Sequence, residues 1–394
     1  DPKAPSQVGK PSAMTLNLNQ ALQFCVSERS WLIDTTVSLA RLESPTSDKV
    51  AVDRCAVELV SLLEGVGADV DQIYQDSAGN HIRATLGNGS PQVLLLGHFD
   101  TVWPNGQTER MPVYEQDGRL YGPGVYDMKA GIAIAILAIR ALKAQDALLG
   151  QRIVVLLTSD EECGSSTSRR LIETEAGRSN AVLVLEPSLP GGAAKTARKG
   201  VGEFELKVEG VSAHAGIEPQ NGASAIHELA RQVVALEPLR EAGISVNVGL
   251  VEGGSRPNVV AEQARCVIDV RVDSAKDCLT VEKTLNGLKP LIPGTSIQLT
   301  GGFSRPPFER TEEVVALYEL AKAVASELDY DLGEGPTGGA SDGNLTASLG
   351  IPTLDGLGAI GAGAHALHEH VEIAELPWRA ALVAGLIDRL REMK

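Results

Sequence analysis

Few cysteines, no long apolar run and a shortage of basic residues each remove a class of protein from consideration. The five cysteines (Cys25, Cys55, Cys163, Cys266 and Cys278) are odd in number, widely spaced and form no Cys-x-x-Cys pair. That argues against a disulfide framework and a thiolate zinc site, and for a reducing compartment. A metal, if present, must be held by histidine and carboxylate. No apolar stretch approaches the length of a bilayer span, and the most apolar long segment, Ala130 to Leu142, is broken by Arg140 and reads as a core helix. Lys plus Arg number 35 against 51 Asp plus Glu, a formal charge of −16. Phosphate binding needs a basic surface, so a nucleic acid is not expected as partner, and without an apolar span neither is a membrane. An anionic small molecule is still compatible, through a local Arg or a metal ion. Residues 1 to 13 are polar, hold three prolines and lack the apolar centre of a signal peptide. Residues 1–16 read as a disordered leader or vector-derived residue, with Met14 a candidate start. The expected location is cytoplasmic, or periplasmic if a signal was removed beforehand.

What remains is a 394-residue chain, long for one core and expected to hold two domains. Its centre is Leu94-Leu95-Leu96-Gly97-His98-Phe99-Asp100-Thr101-Val102. Such a short, evenly apolar run predicts a strand covered on both faces. His98 and Asp100 then lie at its C-terminal end, where open α/β sheets keep their ligands. Side chains at i and i+2 of an extended chain point the same way, so Asp100 can support the His98 imidazole from behind.

Taken in order, helical spacing covers about Asn17 to Arg41 and Ser47 to Glu64, followed by strands at 69–75 and 81–86. An Asp117-Gly118 turn predicts a hairpin, and an apolar helix runs to about Ala144. Buried strands at 153–157 and 181–185 run into Asp160-Glu161-Glu162 and Glu186, with a helix from about Ser166 to Glu175 between them. Strands alternating with helices, their acidic and histidine residues gathered at the same ends, imply a largely parallel α/β sheet with helices on both faces. The pattern changes near Lys199. Phe204 to Val208 alternates apolar and polar, and a β-α-β-β-α-β order follows, the signature of a ferredoxin-like α+β insert. The reading assigns 17–198 and 306–394 to a catalytic domain and 199–305 to the insert. No internal repeat or low-complexity tract interrupts it.

Two divalent metals close together need several hard or borderline ligands and a bridging carboxylate. His98, Asp127, Glu162, Glu186 and one of the late histidines (His365, His368, His370) supply that inventory. Adjacent carboxylates at a strand end point apart, so in Glu161-Glu162 one can ligate while the other takes a proton from water.

Seven motifs occur in order: His98-Phe-Asp100-Thr-Val102; Gly122-x-Gly124-x-x-Asp127-Met128-Lys129; Asp160-Glu161-Glu162; Glu186-Pro187; Ser212-Ala-His214-Ala-Gly216; Asn258 with Asp269-Val-Arg271; and Gly338-Gly339-Ala-Ser-Asp342. Together they resemble the di-zinc exopeptidase and deacylase family of glutamate carboxypeptidase, acetylornithine deacetylase, succinyl-diaminopimelate desuccinylase and the aminoacylases. The resemblance covers essentially the whole chain after about residue 20, and leans toward the folate-cleaving glutamate carboxypeptidase branch. It implies two zinc ions per subunit, with cobalt or manganese as substitutes. Asp127 would bridge them, His98 and Glu186 would complete one site, and Glu162 and a C-terminal histidine the other. Counting back six residues from Val371 selects His365. Glu161 would be the general base, Asp100 would orient His98, and a cis peptide is implied at Asp127-Met128. The insert would be a lid and homodimerisation domain whose His214 steadies the oxyanion in a neighbouring subunit. Arg271 would clamp a substrate carboxylate, with Asn258 and the Gly338-Gly339 loop lining the pocket. Lys195 would add positive charge from a Gly/Ala-rich, solvated loop. His81 and His227 receive no role.

The implied activity is release of a C-terminal amino acid, glutamate being expected, from an N-acyl or peptidyl donor. An N-acyl-amino-acid deacylase is the alternative, since both need the same carboxylate clamp. A non-catalytic binding protein would show a gap in the ligand set, and none is visible. A Cys163 nucleophile lacks a histidine near it in sequence to activate it.

Overall fold

The computed structural model describes residues 15–148 and 150–391; the expected leader falls, through residue 14, outside them. The chain forms two units, one of residues up to Lys195, Glu312–Gly335 and Leu349 onward, the other of Thr196–Thr311 and Pro336–Ser348.

The first unit is built on a six-stranded sheet. Its strands are β1 (Asp69–Ile73), β2 (His81–Leu86), β3 (Gln92–His98), β4 (Arg152–Thr158), β5 (Ala181–Val184) and the later Thr353–Leu354. They lie in the order β1-β2-β4-β3-β5-(353–354). β1 pairs antiparallel with β2 and β2 with β4, whereas β4, β3, β5 and 353–354 run parallel. Every residue of β3 is buried, which explains why its sequence shows no alternation. The helix Ala130–Ala144 lies against this sheet and is buried along almost its whole length. Gly131 permits the approach: a Cβ there would stand 2.1 Å from the Leu185 carbonyl oxygen. Arg140, half-buried in this helix, lies over the Trp31 ring at 4.4 Å and pairs with Glu28 at 2.6 Å.

That pair also marks a departure from the sequence reading. The continuous helix expected from Asn17 to Arg41 is two helices, Leu18–Ser27 and Arg29–Arg41, broken at Glu28. Amphipathic spacing runs through the break, so apolar periodicity alone does not reveal it. Lys129, fully buried, donates to the Leu39 and Leu42 carbonyls and to Ser44 Oγ, each at 2.8 Å. All three of its N–H groups are thereby satisfied, which is what lets an ammonium stay buried.

The second unit has strands β6 (Gly200–Glu209), β7 (Ser245–Gly253), β8 (Gln263–Val272) and β9 (Ser296–Arg305). They form an antiparallel sheet in the order β7-β8-β6-β9. Helices Ala225–Val234 and Ala275–Asn286 complete the β-α-β-β-α-β order. Phe204, Leu206 and Val208 of β6 join Ile268, Val270, Leu229, Val281 and Leu285 in its core. Residues 336–348 group with this unit rather than with the first-unit segments that flank them. The Asn344 amide donates to the Lys199 and Pro306 carbonyls, and Arg305 pairs with Asp342 at 2.9 Å. Among the described residues no helix is long and apolar enough to cross a membrane.

Candidate metal centre

Parallel register brings the chemistry to one edge of the first unit. His98 ends β3 opposite Thr158 of β4, and Leu96 stands opposite Val184 of β5. The residues just past β4 and β5, Glu161-Glu162 and Glu186, therefore emerge beside His98.

There, two imidazoles and four carboxylates converge. His98 Nε2 lies 3.2 Å from Asp127 Oδ1 and 3.3 Å from Glu186 Oε1. His365 Nε2 lies 3.2 Å from Glu162 Oε1 and 3.4 Å from Asp127 Oδ2. The two oxygens of Asp127 thus face different His/Glu pairs. Donor atoms of His98, Asp127 and Glu162 lie within 4.8 Å of one another, as do those of His98, Glu161 and Glu186. Asp127 sits in the Val125–Lys129 turn, where the Asp127-Met128 peptide is cis. His365 has φ 62°, a left-handed conformation that a β-carbon disfavours, so its loop is held by its surroundings.

The electrostatics suit a cation. Burial works to strip the proton from His98, yet hydrogen bonds to Asp100, Asp127 and Glu186 outweigh it and raise its pKa well above the usual histidine range. Asp127 and Glu162 push His365 up to about 10. Burial tends to raise Asp127, but the two imidazoles hold it below the usual carboxylate range. Burial raises Glu162. Imidazole nitrogens and carboxylate oxygens that together demand positive charge are the donor set that zinc and its neighbours accept.

Asp100 has more tasks than its sequence position suggests. His98 Nδ1 meets the Asp100 backbone carbonyl at 3.1 Å and its carboxylate only at 3.4 Å. The fully buried carboxylate also accepts the backbone N–H of Glu161 at 3.3 Å and of Glu162 at 3.2 Å, and the Thr46 hydroxyl at 2.7 Å. It therefore fixes the Glu161-Glu162 turn as well as the imidazole. Thr46 is missed by the motif reading, because it joins the centre from 54 residues away. His81, given no role, accepts the Ser159 N–H at Nδ1 and meets Thr167 Oγ1 at Nε2, holding the end of β4. His370 lies instead against the Tyr121 ring, its Nδ1 2.8 Å from the His368 carbonyl.

The residues expected to touch substrate fare unevenly. Lys195 is not in a solvated loop: it lies on a short strand, Ala194–Arg198, is 9% exposed and exchanges backbone hydrogen bonds with Asp355. Ala-Lys-Thr-Ala-Arg is too weakly patterned to announce a strand. In the second unit, the Arg271 fork closes on its own neighbour, Nε and Nη2 donating to the two Asp269 oxygens at 2.9 and 2.8 Å. A substrate carboxylate would have to share or displace Asp269. His214 is exposed, and its Nδ1 accepts the N–H groups of Gly216 and Ile217 at 3.2 and 3.1 Å. In the neutral ring the proton is then on Nε2, free to donate. The Asn258 carbonyl accepts the Ala215 N–H next door. Gly338 and Gly339 have open space where a Cβ would stand.

Comparison with known proteins gives this arrangement a family. Residues 94–389 match Peptidase family M20/M25/M40. Carboxypeptidase G2 of Pseudomonas sp. (strain RS-16) is 29% identical over 381 residues, covering 94% of this chain and 91% of that protein. Acetylornithine deacetylase of Myxococcus xanthus is 32% identical over 265 residues, covering 59% and 67%. Among solved structures, aminopeptidase PepT from Bacillus cereus superposes with TM-score 0.74 at 22% identity, over 92% of this chain and 98% of that one, a likeness of fold. The family match runs from β3 to the last helix and takes in every strand end that carries a member of the cluster, so the chain belongs to peptidase family M20/M25/M40.

Proposed function

We propose that the protein is a metal-dependent hydrolase that removes a C-terminal amino acid, glutamate in the first instance, from an N-acyl or peptidyl donor. The observation that carries this reading is Asp127, whose Oδ1 faces His98 and whose Oδ2 faces His365. His98, Glu186 and one Asp127 oxygen would hold one ion; His365, Glu162 and the other oxygen would hold the second. Two divalent ions so placed, zinc or in its stead cobalt or manganese, supply an activated water and a polarised carbonyl at neutral pH.

The remaining steps belong to the chain. Glu161, set by the Asp100 bond to its backbone N–H, takes the water's proton on its carboxylate and returns it to the leaving nitrogen. His214, with Nδ1 occupied by two amides, would present Nε2–H to the developing oxyanion in a neighbouring subunit. Arg271, once its fork is shared with or released by Asp269, would clamp a substrate carboxylate; Lys195 would add positive charge, and Asn258, Gly338 and Gly339 would line the approach. Homodimerisation through the second unit belongs to the same reading; its edge strand β7 leaves Leu250 and Val251 exposed.

The match to acetylornithine deacetylase and to several succinyl-diaminopimelate desuccinylases supports the second reading, an N-acyl-amino-acid deacylase. One panel tests both: N-acyl glutamates including pteroyl-glutamate, other N-acyl amino acids and dipeptides, each with zinc, cobalt and chelator. Preference for acyl-glutamates that a chelator abolishes is expected. Turnover that survives complete metal removal would end the proposal.

A further inference from the structure

Glu369 lies on the loop that carries His365, is 0% exposed, and its carboxylate accepts from four neutral N–H donors. Oε1 accepts the backbone N–H groups of Tyr126 and Asp127, both at 3.0 Å. Oε2 accepts the backbone N–H of Gly124 at 3.0 Å and the Trp103 indole at 2.9 Å. The Glu369 carbonyl also accepts the Gly122 N–H at 3.3 Å. Among the described residues four N–H donors face this group, a setting that an ionised carboxylate can satisfy in full and an amide cannot. An amide there would turn its own NH2 toward one donor pair and leave that pair unsatisfied.

The donors belong to the segments that build the candidate centre. Gly124 to Asp127 is the turn that presents the shared Asp127. Trp103 follows His98 and Asp100 off β3. Glu369 itself follows His365 by four residues. We propose that Glu369 is a positioning residue of the centre: one buried carboxylate joins the Asp127 turn, the His365 loop and the end of β3, and sets the distances among their metal-ligating atoms. It touches neither ion nor substrate. The inference rests on the reading of the cluster as a metal centre.

The test is metal affinity of the full-length protein, measured by chelator competition for zinc and by the visible spectrum of the cobalt form, with circular dichroism to establish folding. Groups supporting metal ligands from behind are worth about 10–100-fold in affinity. Folded E369Q is expected to lose that much for at least one ion and to show an altered cobalt spectrum. W103F, which removes one donor and keeps the carboxylate, is expected to lose less. Where E369Q does not fold, W103F decides. Affinity and cobalt spectrum within twofold of wild type in the folded variants would overturn the proposal while leaving the metal centre intact. Wild-type protein that takes up no metal would refute the centre itself.

Discussion

Replacing Asp100 with Asn keeps the size of a fully buried side chain and removes its charge. The wild-type carboxylate serves the His98 imidazole, the Glu161 and Glu162 N–H groups and the Thr46 hydroxyl. Asn has one acceptor oxygen, so its NH2 must face at least one backbone donor. Leaving a buried donor unpaired costs about 1–3 kcal/mol. Loss of the charge behind His98 costs about 10–100-fold in metal affinity, or about 1.4–2.8 kcal/mol. Set against a typical stability of about 5–15 kcal/mol, the variant stays folded but weakened. Metal titration and thermal melts of the metal-free protein measure the two parts separately. Turnover should fall further than metal loss explains, because the Glu161 backbone loses its anchor too. A variant that melts and binds metal like wild type would refute this account of Asp100. A variant that loses metal alone would reduce Asp100 to a support for His98.

Other substitutions test other links. Glu161→Ala should lower kcat by about 10²–10⁴-fold while metal content, measured by elemental analysis, stays at the wild-type level; near-normal turnover would remove Glu161 as base. Gly131→Ala forces the helix Ala130–Ala144 away from the Leu185 carbonyl, beside Glu186, and should cost about 1–3 kcal/mol in a melt together with weaker metal binding. Wild-type behaviour there would show that the close approach is not needed. Glu228 supplies a pH test in the second unit. Burial tends to raise its pKa, but Gln232 and the Leu291 and Ile292 N–H groups outweigh that and lower it from the ordinary 4.5. Its stabilisation is therefore present above pH 4.5 and lost as pH falls through the depressed value. The stability gap between wild type and Glu228→Gln should close on acidification, and a gap independent of pH would contradict it.

The parallel strands were legible because strands buried on both faces are continuously apolar, and their ends could be counted residue by residue. Counting strand ends reaches His98, Glu161, Glu162 and Glu186, while the family resemblance marks Asp127 and His365; the fold gathers all six at one sheet edge. What escaped depends on partners distant in sequence. Glu369 receives no role from the sequence, since nothing local announces that its carboxylate accepts N–H groups more than 240 residues away. Lys195 reads as a loop residue because its strand has no alternation. Arg271 was read as an open clamp, although Asp269, two residues back on the same face of β8, occupies the fork. The break at Glu28 lies where helical periodicity continues undisturbed, and its Arg140 partner comes from another helix.

The central claim is that one carboxylate, Asp127, serves two ions. Zinc titration of metal-free wild type beside Asp127→Ala tests it directly. Wild type should bind two equivalents, and the variant should lose affinity at both sites together. A variant that keeps one site at wild-type affinity, or a wild type that saturates at one equivalent, would contradict it.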